Sequence, residues 1–135
     1  MISIKCNEKP LSVNQCWQGK RFKTKEYKKY EKLLLHVLPK IKEMPKPPYF
    51  IVFEFGFSSP LADWDNPIKP LQDIMQTKYN FNDRDISVAQ VNKKITKKNQ
   101  EYFKFILGNH LDYVQYVIET YNLISQEKYN GKARQ

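Results

Sequence analysis

The segment Tyr49–Phe57 (YFIVFEFGF) constrains the fold more than any other stretch of the chain. β-Branched and aromatic side chains fill almost every position, and Glu54 is the exception. Such a run is typical of a strand covered on both faces, so we expect it in the middle of a sheet. Glu54 lies either on an exposed face of that strand or near a functional site, and we expect the first.

Three further strands are predicted from alternating or β-branched side chains, at residues 2–4, 86–95 and 100–107. A turn at residues 97–99 separates the last two. Two strand-like segments joined by so short a turn are typical of a β-hairpin, so we expect them to pair with each other.

Apolar residues recur at helical spacing in three segments. The first spans residues 25–43 and is ended by a proline-rich stretch. The second begins at Pro67, or nearer Pro70 because a proline ring crowds the preceding turn, and ends near Lys78. The third precedes a polar tail at residues 126–135 that we expect to fray, and its apolar positions are Leu111, Val114, Val117, Ile118 and Tyr121.

This mixture of strands and helices predicts one α+β domain over residues 1–135, with helices packed on a small mixed sheet in a two-layer sandwich. A hydrophobic fraction of 41% is typical of a globular protein. The first residues do not resemble a signal peptide, and no apolar run reaches the roughly 18 residues of a membrane span. We therefore expect a soluble, cytoplasmic protein without a membrane partner.

The net charge of +9 favours a polyanionic partner, and nucleic acid is the leading candidate. The basic side chains either contact phosphates or form an ordinary solvated surface. The candidates for phosphate contact are Lys20, Arg21, Lys93, Lys94, Lys97 and Lys98.

The cysteines and histidines do not indicate a site of their own. Cys6 and Cys16 are too few for a disulfide framework or a four-ligand zinc site, so we expect reduced thiols that pack as small side chains. His36 and His110 lack a partner motif, which favours roles in packing or at the surface. We expect no small-molecule cofactor.

The acids of this basic chain cluster in two places. Asp63 and Asp65 precede the second helix, with Lys69 and Asp73 following at steps of four residues, and Asp83 and Asp85 come after that helix. Residues at steps of four share one helix face. A set of aspartates without paired His or Cys suits Mg²⁺ or Mn²⁺ rather than zinc. A divalent cation with a nearby lysine is suited to phosphodiester hydrolysis.

The same acids have a plainer interpretation as capping and turn residues, which is common for D-x-D-N alone. The lysine, the second acidic cluster and the basic surroundings favour catalysis over that interpretation. Asp73 is either a metal ligand or a partner of Lys69. Asp85 is either a ligand or a salt-bridge partner of a neighbouring lysine. Together with Asn66, these two form the supporting set.

The order of these motifs resembles the RusA-type Holliday junction resolvases, small endonucleases of bacteria and their phages. The matching pieces are PLSVN at residues 10–14, TKEY at 24–27, DWDNPIKP at 63–70 with Asp73, and FNDRDI at 81–86. The string D-x-D-N-x-x-K-P-x-x-D is the most specific of these pieces. The family pattern also commonly has a proline at the position of Pro70.

The resemblance implies that Asp63, Asp65 and Asp83 bind Mg²⁺ and that Lys69 is catalytic. It further implies a homodimer that cuts four-way DNA junctions in recombination and repair. Two-fold symmetry of the junction matches a dimer with one site per subunit. The family usually has two adjacent acids in its last motif, whereas Asn82 precedes Asp83 here, which leaves the role of the first acid open.

Two other functions remain open at this point. One is a basic DNA-binding protein without catalysis, in which the acids only cap and turn the chain. The other is a metal-dependent nuclease that acts on RNA or on another branched DNA.

Overall fold

The structure is a computed structural model that describes residues 1–19 and 22–133. Within those residues the strands are β1 (Ile2–Cys6), β2 (Trp17–Gln18), β3 (Phe22–Lys23), β4 (Tyr49–Phe57), β5 (Ile86–Ile95) and β6 (Tyr102–Asn109). The helices are α1 (Lys25–Val37), α2 (Ile68–Tyr79) and α3 (Asp112–Ala133). Short 3₁₀ turns lie at Val13–Gln15 and Asp83–Asp85. The mixed α+β class predicted from the sequence is confirmed.

Strand β4 lies inside a four-stranded sheet of order β1-β6-β4-β5. It runs antiparallel to β6 and parallel to β5. Strand β4 is buried on both faces. Phe50 and Val52 lie on one face, and Ile51 and Phe53 lie on the other. The predicted central, buried strand is therefore confirmed, with the predicted bounds.

The predicted hairpin is wrong, because β4 lies between β5 and β6. The short turn at residues 97–99 is real, but the two strands that it joins each pair with β4 instead. A strand that is apolar on both faces buries the most apolar surface in a central position. The lysine-rich β5 takes the edge, where charged side chains reach water.

Helices α1 and α2 cover one face of the sheet and enclose the core, which includes Leu34, Phe53, Leu71 and Phe105. The Thr24 hydroxyl caps α1 by accepting a hydrogen bond from the Tyr27 amide at 3.1 Å. Helix α1 ends at Val37 rather than at the predicted residue 43. The reason is Pro39, which biases Leu38 towards the extended conformation that it adopts, with ψ of 129°.

Helix α2 begins at Ile68, so Pro70 lies in its first turn. Amides of the first turn have no intrahelical acceptor, and a proline there therefore costs no hydrogen bond. The Leu71 amide already bonds to the Pro67 carbonyl at 3.3 Å. Of the two predicted starts, the one near Pro67 is confirmed.

Helix α3 packs on the opposite face of the sheet, where Tyr113 and Tyr116 contact Phe50 with ring centroids 5.6 and 6.0 Å apart. Helices therefore lie on both faces, rather than forming the two layers that we expected. The helix also continues to Ala133, so residues 126–133 of the tail that was predicted to fray are helical. No helix among the described residues is long and apolar enough to cross a membrane.

The cysteines follow the prediction, since Cys16 is buried, Cys6 is half-buried, and both are free thiols in the described structure. Burial raises the pKa of Cys16 from 9.0 to about 11. His36 is exposed in the last turn of α1. Glu54 is half-buried on the α3 side of the sheet, where it accepts a hydrogen bond from Tyr102.

Candidate functional site

The segment between β4 and α2, residues 58–67, carries the first acidic motif. Asp63 and Asp65 are exposed on it. The Asn66 amide group donates to Asp63 at 3.3 Å, and the Asp65 carbonyl accepts from the Ile68 amide at 3.1 Å. The Asn66 carbonyl accepts from the Val13 amide at 2.8 Å. Both acids are therefore held at the start of α2, on a segment tied to the N-terminal loop.

Lys69, in the first turn of α2, pairs with Asp73 on the same helix and with Asp83 of the second acidic cluster. Its Nζ lies 2.9 Å from Asp73 Oδ1 and 3.8 Å from Asp83 Oδ2. The hydrogen bond to Asp73 and the negative charge of Asp83 raise the pKa of Lys69 above its ordinary value. The side chain is exposed, so solvent screens these pairs and their contribution to stability is small.

Asp83 reaches this lysine because the chain turns back after α2. Asn80 ends the helix in the left-handed conformation, with φ of 54°, and the Asn82 side chain caps the following 3₁₀ turn. Two glutamines of α2 then hold Asp83. Gln72 donates to its carboxylate at 3.1 Å, and Gln76 accepts from its backbone amide at 2.9 Å.

The supporting acids differ in their contacts. Asp73 is the partner of Lys69, as one of its two predicted roles requires, and it also accepts from Gln76 at 3.3 Å. Asp85 lies 4.0 Å from Arg84, so its charged neighbour is an arginine rather than the lysine of one of its two predicted roles. Asn66 contacts Asp63.

The structure groups these residues into two sets rather than one. Lys69, Asp73 and Asp83 form an ion-pair cluster along α2, while Asp63 pairs with Asn66 at the start of that helix. Over residues 1–19 and 22–133, no three His, Cys, Asp or Glu side chains lie close enough to hold a metal ion. The three expected ligands are therefore not gathered into a single coordination sphere.

A cleft of about 240 Å³ lies beside Asp63. Its walls come from the N-terminal loop, the end of β4 and the segment before α2. Ser58 donates to Glu101 across one side of the cleft at 2.8 Å. The polar residues that line it include Lys9, Ser12, Gln15, Ser59, Asn66 and Glu101.

The basic candidates lie mainly near the end of the sheet that carries the site, where β4 and β5 finish. Because β4 and β5 are parallel, their carboxyl ends lie side by side at the same end of the sheet, and residues 58–67 follow β4 at that end. Lys94, Lys97 and Lys98 are exposed there. Lys93 is exposed too, but its Nζ donates to the carbonyls of Pro60 and Ala62. The other two candidates, Lys20 and Arg21, lie outside the described residues.

Sequence reasoning missed the two glutamines that hold Asp83. Gln72 and Gln76 follow Lys69 by three and seven residues, a spacing that puts both on the same helix face as the lysine. An amide carries no chemical signal as strong as a carboxylate, and the contact partner lies beyond the end of the helix.

Comparison with known proteins gives no matching family model and no matching curated protein, so the family resemblance of the motifs stays a prediction.

Proposed function

We propose that this protein is a Mg²⁺-dependent endonuclease that cuts four-way DNA junctions, with Mn²⁺ able to replace Mg²⁺. The observation that supports this most directly is the position of Lys69, 2.9 Å from Asp73 and 3.8 Å from Asp83. The second acidic cluster thus returns to the lysine of the first motif, as a shared site requires. The DNA substrate implies a location in the cytoplasm of a bacterial or phage-infected cell.

Each residue has a distinct role in this proposal. Asp63, Asp65 and Asp83 supply the hard oxygen atoms that Mg²⁺ prefers, and sites for this ion commonly use only one or two carboxylates together with waters and substrate oxygens. Bound Mg²⁺ would polarise the phosphate and activate a water. Lys69 orients the phosphate and stabilises its developing charge. Exposed Lys94, Lys97 and Lys98 hold the DNA backbone.

The donor set fits Mg²⁺ in chemistry, because the two carboxylates at the start of α2, Asp63 and Asp65, are exposed and are hard oxygen donors. The ammonium of Lys69 neutralises part of the charge of Asp83 in the absence of substrate. A phosphate that draws Lys69 towards itself would release Asp83. The proposal therefore expects metal binding to be tighter with DNA present than without it.

The direct test is Asp65→Asn, which keeps the shape of the side chain and removes its charge. Junction binding is expected to persist while cleavage in Mg²⁺ falls by at least about 100-fold. The matched control is Asp112→Asn, the same change on α3, which should cut like the parent protein. Cleavage by Asp65→Asn at the parental rate would exclude Asp65 from the site.

We also propose that the chain acts as a homodimer that joins through α3. Its exposed apolar residues Val114, Val117, Tyr121 and Ile124 recur three or four positions apart, which is the spacing of a helix–helix seam. Tyr121 is 70% exposed, and a contiguous apolar stripe of this kind is typical of an interaction surface. A two-fold dimer would supply one cut to each of two matched strands.

One observation favours a second function, a basic DNA-binding protein without catalysis. Within the described part of the chain the acids do not form a three-ligand group, and Lys69 already neutralises two of them. Titration with Mn²⁺ separates the two functions, since paramagnetic broadening near Asp63 is expected only for the nuclease. Cleavage of junction, flap, duplex and RNA at one salt concentration then identifies the substrate of a nuclease.

A further inference from the structure

Lys93, near the end of β5, bonds to the segment that carries the first acidic motif. Its Nζ donates to the Pro60 carbonyl at 2.8 Å and to the Ala62 carbonyl at 2.5 Å. The ammonium also lies 5.9 Å from the centre of the Phe57 ring, at the end of β4. Its charge thus faces the chain immediately before Asp63, although the side chain is exposed to solvent.

The other hydrogen bonds near these carbonyls are local. The Ala62 amide bonds to the Ser59 carbonyl at 3.3 Å, and the Leu61 amide bonds to the Ser59 hydroxyl at 3.2 Å. Local bonds shape a turn without attaching it to the sheet. At residues 60–62 Lys93 supplies that attachment, because β5 is paired with β4 along its whole length. The far end of the segment is tied separately, by the bond between the Val13 amide and the Asn66 carbonyl.

We propose that Lys93 is a positioning residue that holds residues 60–65 against the sheet and so sets the placement of Asp63 and Asp65. The expected effect of Lys93 on cleavage rests on the proposed nuclease function, whereas its expected effect on the placement of residues 60–65 does not. A carboxylate pair on a tethered segment binds a cation with less loss of chain entropy than a pair on a free one. Lys93 therefore acts through the acids rather than by touching DNA.

Lys94 provides the matched comparison. It is the next residue on the same strand and carries the same charge, but successive side chains of a strand point to opposite faces. Lys94 is exposed on the other face, opposite Gly56 of β4. Two neighbouring lysines that look alike in the sequence are thus assigned different tasks, one structural and one in phosphate contact.

The experiment compares Lys93→Met with Lys94→Met, since methionine keeps an unbranched stem and loses the ammonium. In metal-free protein, hydrogen exchange at the hydrogen-bonded amides of Leu61 and Ala62 is expected to rise about 10-fold in Lys93→Met and to stay unchanged in Lys94→Met. With the junction at saturating concentration, the Mg²⁺ concentration for half-maximal cleavage should rise about 10-fold in Lys93→Met. The salt dependence of junction binding should fall by about one unit of slope in Lys94→Met only.

Lys93→Arg keeps hydrogen-bond donors at this position and should restore slow exchange, which guards against a variant that fails to fold. Unchanged exchange in Lys93→Met would overturn the proposal. A reduced salt slope in that variant would overturn it too, by making Lys93 a phosphate contact. The exchange measurement needs no activity. If the parent protein cuts no junction, the nuclease proposal fails, but the exchange measurement still shows whether Lys93 holds residues 60–65.

Discussion

The side-chain amide of Gln72 lies 3.1 Å from Asp83 Oδ2, although eleven residues separate the two in the chain. This contact, with the bond from the Asp83 amide to Gln76, fastens the second acidic cluster to the side of α2. The acid is therefore oriented by neutral neighbours and not only by the charge of Lys69. Groups that orient a metal ligand in this way commonly matter almost as much as the ligand.

Replacement of Gln72 by leucine should weaken metal binding by about 10-fold, because Asp83 loses the donor that orients it. Leucine is a good helix former, so α2 should remain intact. Isothermal titration with Mn²⁺ measures the affinity, and circular dichroism checks the fold. An affinity equal to that of the parent protein would show that Asp83 is not a ligand or that Gln72 does not orient it.

Replacement of Lys69 by methionine should separate metal binding from catalysis. Cleavage should fall by about 100-fold or more, because the variant lacks the charge that we propose stabilises the reacting phosphate. Metal affinity should stay the same or rise, since the ammonium no longer neutralises Asp73 and Asp83. Lys32→Met, an exposed change on α1, is the control. A parallel loss of metal binding and cleavage would argue that Lys69 only maintains the site.

Helix α3 offers a test of the proposed dimer. Tyr121→Glu places a charge in the apolar stripe and should shift the protein from dimer to monomer in analytical ultracentrifugation. Gln126→Glu adds the same charge on the polar side of the helix and should leave the dimer intact. Paired cutting of a junction should then give way to single nicks in Tyr121→Glu. A dimer that survives this substitution would place the interface elsewhere.

Gly56 has a packing reason to lack a side chain. A Cβ atom at this position would overlap the ring of Tyr102, whose hydroxyl donates to Glu54 at 2.9 Å. Gly56→Ala should lower the free energy of unfolding by about 1–3 kcal/mol, as overpacking does. In the background of Tyr102→Ala the same change should cost clearly less, because the overlap is gone. Urea unfolding of the four proteins measures this, and additive losses would contradict it.

Stability should decline in alkaline solution. Burial raises the pKa of Cys16 from 9.0 to about 11 and that of Tyr79 from 10.0 to about 12. Between pH 9 and 12 the unfolded chain releases these protons before the folded chain does, so rising pH favours unfolding. Below pH 9 both states keep the protons and this contribution is fully present. A urea midpoint that stays constant from pH 8 to pH 11 would contradict it, and Cys16→Ala should reduce the early part of the decline.

Short-range features of the chain were predictable. The apolar run of β4, the Thr24 cap and the face shared by Lys69 and Asp73 follow from side-chain type and from the period of one element. These features depend on residues within a few positions of one another. Local periodicity is therefore enough to place them, whatever the rest of the chain does. The end of α1 is equally local, since Pro39 alone biases Leu38 out of the helical conformation.

Long-range choices were settled by the tertiary structure. The strands β5 and β6 looked like a hairpin, yet each of them pairs with β4, because a strand that is apolar on both faces competes better for the central position. The contacts of Gln72 with Asp83 and of Lys93 with Pro60 likewise join separate elements. The sequence alone determined which groups are present and which face each one occupies. Which of them meet was decided only by packing, because the free energy of a contact depends on every other segment that competes for the same place.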